Sequence, residues 1–257
     1  MGYERILIAF LTIIIKEVSR FMRIWGQTIL PAAVSMTLYF IIFGSLIGPR
    51  IGPMGGFAYM EFIAPGIIMM AIINNSYANV VSSFFGAKFQ RHIEEMLIAP
   101  IPNIVILAGY AAGGVARGLI VGLVVTVVAL MFTHLKIHNY FVVVSIVTLT
   151  SILFSLGGFI NAVFARNFDD ISIIPTFVLT PLIYLGGVFY SIEMLPPFWQ
   201  AVSRFNPILY MVNAFRYGIL GVADIDITHA FVIIMLFITA LTVCALMLMH
   251  KGTGLKS

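Results

Sequence analysis

Phe84-Phe85-Gly86-Ala87-Lys88-Phe89-Gln90-Arg91-His92-Ile93-Glu94-Glu95-Met96-Leu97-Ile98-Ala99-Pro100-Ile101-Pro102 is the stretch on which the fold turns. Its Lys88, Arg91, Glu94 and Glu95 form the densest charge cluster in a chain of 257 residues that is 61% hydrophobic and 9% charged. Long apolar runs flank it on both sides. A cluster of this kind cannot lie in hydrocarbon, so it projects into water and the flanking runs cross the membrane. The spacing predicts a helix over 85–98, ended by Pro100 and Pro102. Phe85, Phe89, His92 or Ile93, and Met96 share one of its faces. Lys88, Arg91, Glu94 and Glu95 point elsewhere. Such a helix either docks into a soluble partner or is a solvated cytoplasmic loop.

The composition agrees with this reading. A mean hydropathy of +1.09 excludes an ordinary soluble domain, in which about a quarter of residues are charged. A membrane span must satisfy its backbone hydrogen bonds internally, so spans are helices or a closed barrel. The apolar runs are continuous rather than alternating, which selects helices. The net charge of +4 bears on membrane orientation. No basic arm with interleaved aromatics suggests a nucleic-acid partner. The single cysteine, Cys244, lies in the last apolar run and reads as a small buried residue, which excludes a disulfide framework. The N-terminal apolar start is broken by Lys16, Glu17, Arg20 and Arg23 and has no small-residue cleavage site, so it is not expected to be removed.

The expected fold is an all-α polytopic membrane protein in one transmembrane domain, 1–257. Residues 4–24 read as an amphipathic helix lying in the membrane interface. Ile14, Val18, Phe21 and Trp25 lie on one side of it, and Lys16, Ser19, Arg20 and Arg23 on another. Six spans follow, at 27–48, 58–84, 103–132, 139–164, 171–190 and 227–249. The charged helix 85–98 sits between the second and third. Residues 191–218 carry Pro196, Pro197, Trp199, Arg204, Asn206, Pro207, Asn213 and Arg216. This segment is too polar and too broken for a span, and reads as short re-entrant or interfacial helices anchored by aromatics.

Six spans put both termini on one side. That side carries Arg5, Lys16, Arg20, Arg23, Lys88, Arg91, Arg166, Lys251 and Lys256, against Arg50, Lys136, Arg204 and Arg216 on the other. The excess of cations places the termini and the 85–98 helix in the cytoplasm. No internal repeat is visible, which weighs against a secondary carrier built from inverted repeats. Six helices are few for a transport path, so self-association is expected.

No Gly-x-x-x-x-Gly-Lys-Ser/Thr loop is present, so the chain does not cradle a nucleotide phosphate by that route. Carboxylates are scarce in the spans. Glu61, Asp169, Asp170, Asp224 and Asp226 stand near helix starts, where capping explains them. This scarcity argues for an external ATPase. The alternative is an ion-coupled carrier or channel, which transport driven by an imposed ion gradient would reveal. An intramembrane enzyme using Ser45 finds no His–Asp partners. His134 and His138 stand four residues apart, but two ligands without a nearby carboxylate make no metal centre, and none is assigned. Asn75, Asn79, Ser82 and Ser83 form a polar face on the second span, which either bonds to neighbouring helices or lines a path. Arg117 falls inside the third span. It pairs with Asp169 or Asp170, touches cargo or a lipid headgroup, or snorkels to the membrane surface.

Several motifs in order, together with 84–102, carry a resemblance. They are Ala111-Ala-Gly-Gly-Val-Ala-Arg117-Gly118, Asn167-Phe-Asp169-Asp170-Ile-Ser172, Pro181-Leu-Ile-Tyr-Leu-Gly-Gly-Val-Phe-Tyr190-Ser191, Leu195-Pro-Pro-Phe-Trp199, Asn206-Pro-Ile-Leu-Tyr210 and Phe215-Arg-Tyr-Gly218. Across nearly the whole chain the sequence resembles the permeases of ABC type 2 exporters of Gram-negative inner membranes. The resemblance implies a homodimer of this permease that binds two copies of a cytoplasmic ABC ATPase. ATP and magnesium would be held by that partner, with no cofactor in this chain. It further implies ATPase coupling through Lys88, Phe89, Arg91, His92, Glu94 and Glu95. The interfacial helix, with Lys16, Glu17, Arg20 and Arg23, would help receive the ATPase. A path would run by Asn75, Asn79, Ser82 and Arg117. An extracellular gate region would hold Pro196, Pro197, Trp199, Asn206 and Arg216. The expected cargo is a lipid-like, glycolipid or hydrophobic compound moved outward among membrane lipids.

Overall fold

The computed structural model describes residues 3–254, and over these it is helical, with no strand. Lys256, counted above among the cytoplasmic cations, lies outside the described residues. Helix α1 is Tyr3–Arg23, α2 the run Trp25–Ile51, α3 Tyr59–Phe89, α4 His92–Ile98 and α5 Asn103–Leu130. Then come α6 Tyr140–Phe164, α7 Asp170–Tyr184, α8 Pro197–Arg204, α9 Pro207–Leu220 and α10 Ile227–Lys251.

Five helices among the described residues, α2, α3, α5, α6 and α10, are long and apolar enough to cross a membrane. Helix α3 is the hub, packed between α5 and α6 and touched by α9. Its most apolar window is 83% buried, against 17% for α2 and 11% for α10, which sit on the outside of the bundle. This explains why the polar residues of the spans gather on α3, since almost none of its surface meets lipid. The close approach of α6 to α3 depends on Gly158. A Cβ there would fall 2.6 Å from the carbonyl oxygen of Tyr77.

The structure corrects the expected boundaries in two places. The helix predicted over 85–98 is broken. Helix α3 continues to Phe89, Gln90 and Arg91 turn, and α4 begins at His92. Arg91 is the only non-glycine residue among those described with a left-handed backbone, at φ 62°, a conformation that costs about 1–2 kcal/mol. With this turn Ile93 lies against the bundle and is buried.

The span predicted over 171–190 is helical only to Tyr184. Pro175 and Pro181 each lack an amide donor, and the helix widens into a π-helical turn over Pro175–Leu179. Gly187, at φ 71°, then reverses the chain. At roughly 22 Å long, α7 alone falls short of the hydrocarbon thickness.

The cap reading of the acids holds in part. Glu61 accepts from the Ala58 amide at 3.3 Å, and Asp226 from the His229 amide at 3.1 Å. Those amide bonds hold the Asp226 carboxyl below the usual carboxylate range. Asp170 instead closes the 166–170 loop, accepting from the amides of Arg166 and Asn167. Asp224 accepts from the Ile192 amide.

Candidate functional site: an elbow and a polar seam at one end of the bundle

The elbow between α3 and α4 is built from both sides. Lys88, on the last turn of α3, turns inward. Its ammonium donates to the carbonyls of Val163 at 2.6 Å, Ala165 at 2.7 Å and Ala162 at 3.4 Å. These are among the carbonyls that end α6, so Lys88 caps that helix across the interface. Lys88→Met should therefore lower stability by about 1–3 kcal/mol, read as the thermal midpoint in detergent. An unchanged midpoint would show that water serves those carbonyls equally well.

Phe85, Phe89 and Phe168 stack around the same corner at 5.0–6.0 Å between ring centroids. Phe89 and Phe168 keep more than half of their surface exposed. Arg91, His92 and Glu95 are exposed on the outside of the elbow, and Glu94 is half-buried. Beneath α4, the Tyr110 hydroxyl points to the Met96 sulfur at 3.9 Å and accepts from the Lys16 ammonium at 3.5 Å. Buried Tyr110 thus joins α1, α4 and α5 at one point.

Next to the elbow runs a polar seam. Helix α1 packs on α5, where Ile13 and Glu17 occupy the space a side chain would need at Gly109 and Gly113. Glu17 is fully buried. Its carboxylate accepts from Ser83 at 2.6 Å and pairs with Arg20 at 3.4 Å. Arg20 also donates to the side-chain and backbone oxygens of Asn79, at 2.8 and 3.0 Å. One layer deeper, Arg117 donates to Asn75 Oδ1 at 3.0 Å and to the Thr28 carbonyl at 3.2 Å. The seam ties α1 and the base of α2 to α3 and α5.

Several predicted residues are thereby located. Asn75 and Asn79 are buried and bonded across helices, while Ser82 bonds back to the Ala78 carbonyl of its own helix. The expected pairing of Arg117 with Asp169 or Asp170 is not formed. Arg117 faces α2 and α3, and Asp170 serves its own loop. Helix α1 keeps Lys16 and Arg23 exposed, but its buried face is Ile13, Glu17 and Phe21, Arg20 turns inward to Asn79, and Trp25, expected on the apolar side, is exposed. The polar face of the second span includes Ser83 and the interfacial helix includes Glu17, but the sequence does not pair them, and it gives no sign of Thr28 or Tyr110 as partners. The one signal for the pair is an acid on a helix rich in cations.

The far end of the bundle holds the rest. Asn206 caps α9 and donates to the Leu182 carbonyl at 2.6 Å. Arg216 is fully buried against Phe62, Gly187 and Asn213. Pro196, Pro197 and Trp199 lie exposed at the start of α8, with Trp199 edge-on to Phe198. The two groups are not brought together, since Arg216 is enclosed while Trp199 faces outward.

Comparison with known proteins agrees with this architecture. The model of the ABC-2 type transporter family matches residues 8–220. The chain is 57% identical over 250 residues to the inner membrane transport permease YadH of Escherichia coli (strain K12), covering 97% of this chain and 98% of that one. It is 24% identical over 191 residues to nodulation protein J of Rhizobium leguminosarum bv. trifolii, covering 74% and 73%. The family model covers most of the chain, and with a 57% identical relative over nearly its whole length it establishes that the chain belongs to the ABC-2 type transporter family.

Proposed function

We propose that this chain is the membrane-spanning permease of an ATP-driven exporter of the inner membrane, paired with a second copy and driven by two copies of a separate cytoplasmic ATPase. The ATPase holds the ATP and magnesium, and this chain carries no nucleotide site of its own. Helix α4 and the outer side of α1 form the docking face, with Phe89, Arg91, His92 and Glu95 at its centre. Lys88 anchors the elbow from within. ATP binding closes the ATPase pair and pushes α4. Tyr110 and the polar seam pass that push to α1, α3 and α5, and the spans reorient to move a lipid-like, glycolipid or hydrophobic cargo outward.

The observation that carries this reading is the elbow itself. It is a left-handed, solvent-exposed corner bearing charge, wedged between two crossings and seated on a buried tyrosine. Backbone strain at an exposed corner that the surrounding packing holds in place is a mark of a functional contact. Both described ends of the chain lie near this end of the bundle. Helix α1 bonds Ser83, and Gly254 packs on Val163. That arrangement supports α7, with the segment beyond it, as a sixth crossing, and both termini in the cytoplasm. The shorter α8 and α9 then close the outer side as the gate region.

The test is the double variant Arg91→Ala, Glu95→Ala, co-expressed with the ATPase. Removing two docking charges should weaken subunit pull-down about tenfold or more and abolish export, while the permease still folds. Normal pull-down with normal export would defeat the proposal.

A further inference from the structure

At the end of the bundle away from the elbow, a cavity of about 730 Å³ is lined by Phe57, Glu61, His134, Lys136, Ile137, His138, Ile219 and Leu220. Three separate parts of the chain build it: the start of α3, the link between α5 and α6, and the end of α9. The link is fastened. The amides of His138 and Asn139 donate to the carbonyls of Ile219 and Gly218 at 3.1 and 2.8 Å. The His138 ring stands edge-on to Tyr217, with centroids 5.5 Å apart. These contacts hold the cavity wall in shape.

Two kinds of polar group meet there. Lys136, His134 and His138 offer N–H donors, and none of them makes a side-chain hydrogen bond to a defined partner among the described residues. Glu61 offers a carboxylate, one oxygen of which takes the Ala58 amide. The remaining lining is apolar. The cavity sits where α3 begins, α5 ends and α6 begins, which is the depth of lipid headgroups.

We propose that this cavity binds a membrane phospholipid whose headgroup carries both a phosphate and a primary amine, of the phosphoethanolamine kind. Lys136 and the imidazoles take the phosphate. Glu61 takes the ammonium, which is the discriminating contact. Phe57, Ile137, Ile219 and Leu220 receive the first carbons of the glycerol and acyl chains. A purely anionic headgroup would leave Glu61 facing like charge. The site depends on cavity chemistry and depth and not on which face of the protein is cytoplasmic, so its failure leaves the transport reading untouched.

The test is native mass spectrometry of the full chain titrated with phosphatidylethanolamine or phosphatidylglycerol. Phosphatidylethanolamine should be retained about fivefold better. Glu61→Gln keeps the capping geometry and should bring that ratio to about one. Lys136→Ala should weaken retention of both lipids. An excess of free phosphoethanolamine should not displace the lipid. Retention of neither lipid, equal retention by the unaltered chain, a preference that survives Glu61→Gln, or displacement by free phosphoethanolamine overturns the proposal.

Discussion

Arg216→Ala should destabilise the protein by about 3–5 kcal/mol, the largest effect expected of a single substitution in this chain. Arg216 has no exposed surface. It donates to the Gly187 carbonyl at 2.6 Å, the Phe62 carbonyl at 3.3 Å and Asn213 Oδ1 at 3.5 Å, and it lies 4.0 Å from the centre of the Phe62 ring. Alanine would leave those carbonyls buried without donors and open a void between α3, α9 and the turn after α7. Arg216→Lys should recover only part of the loss, because an ammonium cannot reproduce the planar fork that spans the two carbonyls. Thermal unfolding in detergent measures both. A wild-type midpoint for the alanine variant would mean that water enters and serves those carbonyls.

Arg117→Ala should cost about 2–4 kcal/mol, for a related reason in the middle of the bundle. Arg117 bridges Asn75 of α3 and the Thr28 carbonyl of α2. Its loss frees the base of α2, a helix with few other buried contacts. A double-mutant cycle with Asn75→Ala separates the bridge from general packing. Coupling of about 1–2 kcal/mol is expected. Additive losses would show that the two side chains stabilise the fold independently.

These two arginines mark where the sequence was readable and where it was not. Arg216 falls in the polar, broken segment 191–218 and reads as part of an outer gate, whereas Arg117 stands out as a cation in an apolar span, so that it needed a partner was plain. Which partner was not. Asp169 and Asp170 were the nearest obvious counter-charges for Arg117, yet its partners are an amide side chain and a backbone carbonyl. A backbone carbonyl leaves no mark in the sequence. Lys88 makes the same point. It sits within the charge cluster that identifies the elbow, yet its ammonium caps α6 through main-chain oxygens. Periodicity puts Glu17 on a membrane-surface helix, yet it is fully buried and accepts from Ser83.

The shortened α7 has a local cause that was present in the sequence. Pro175, Pro181 and the Gly186-Gly187 pair all weaken a continuous helix. Hydropathy over 171–190 outweighed them, because apolar content measures preference for lipid and not helical continuity.

The sequence by itself determined that the chain is a helical membrane protein with long apolar segments, and that a charged segment stands between the second and third of them. Those properties follow from hydropathy and helical period, which act along the chain. The tertiary structure alone decided which helix is enclosed, which polar groups meet, and which charges stay exposed. In a low-dielectric interior each polar group must bond to whatever lies at its own depth on the adjoining helix. That neighbour is chosen by packing between segments far apart in sequence.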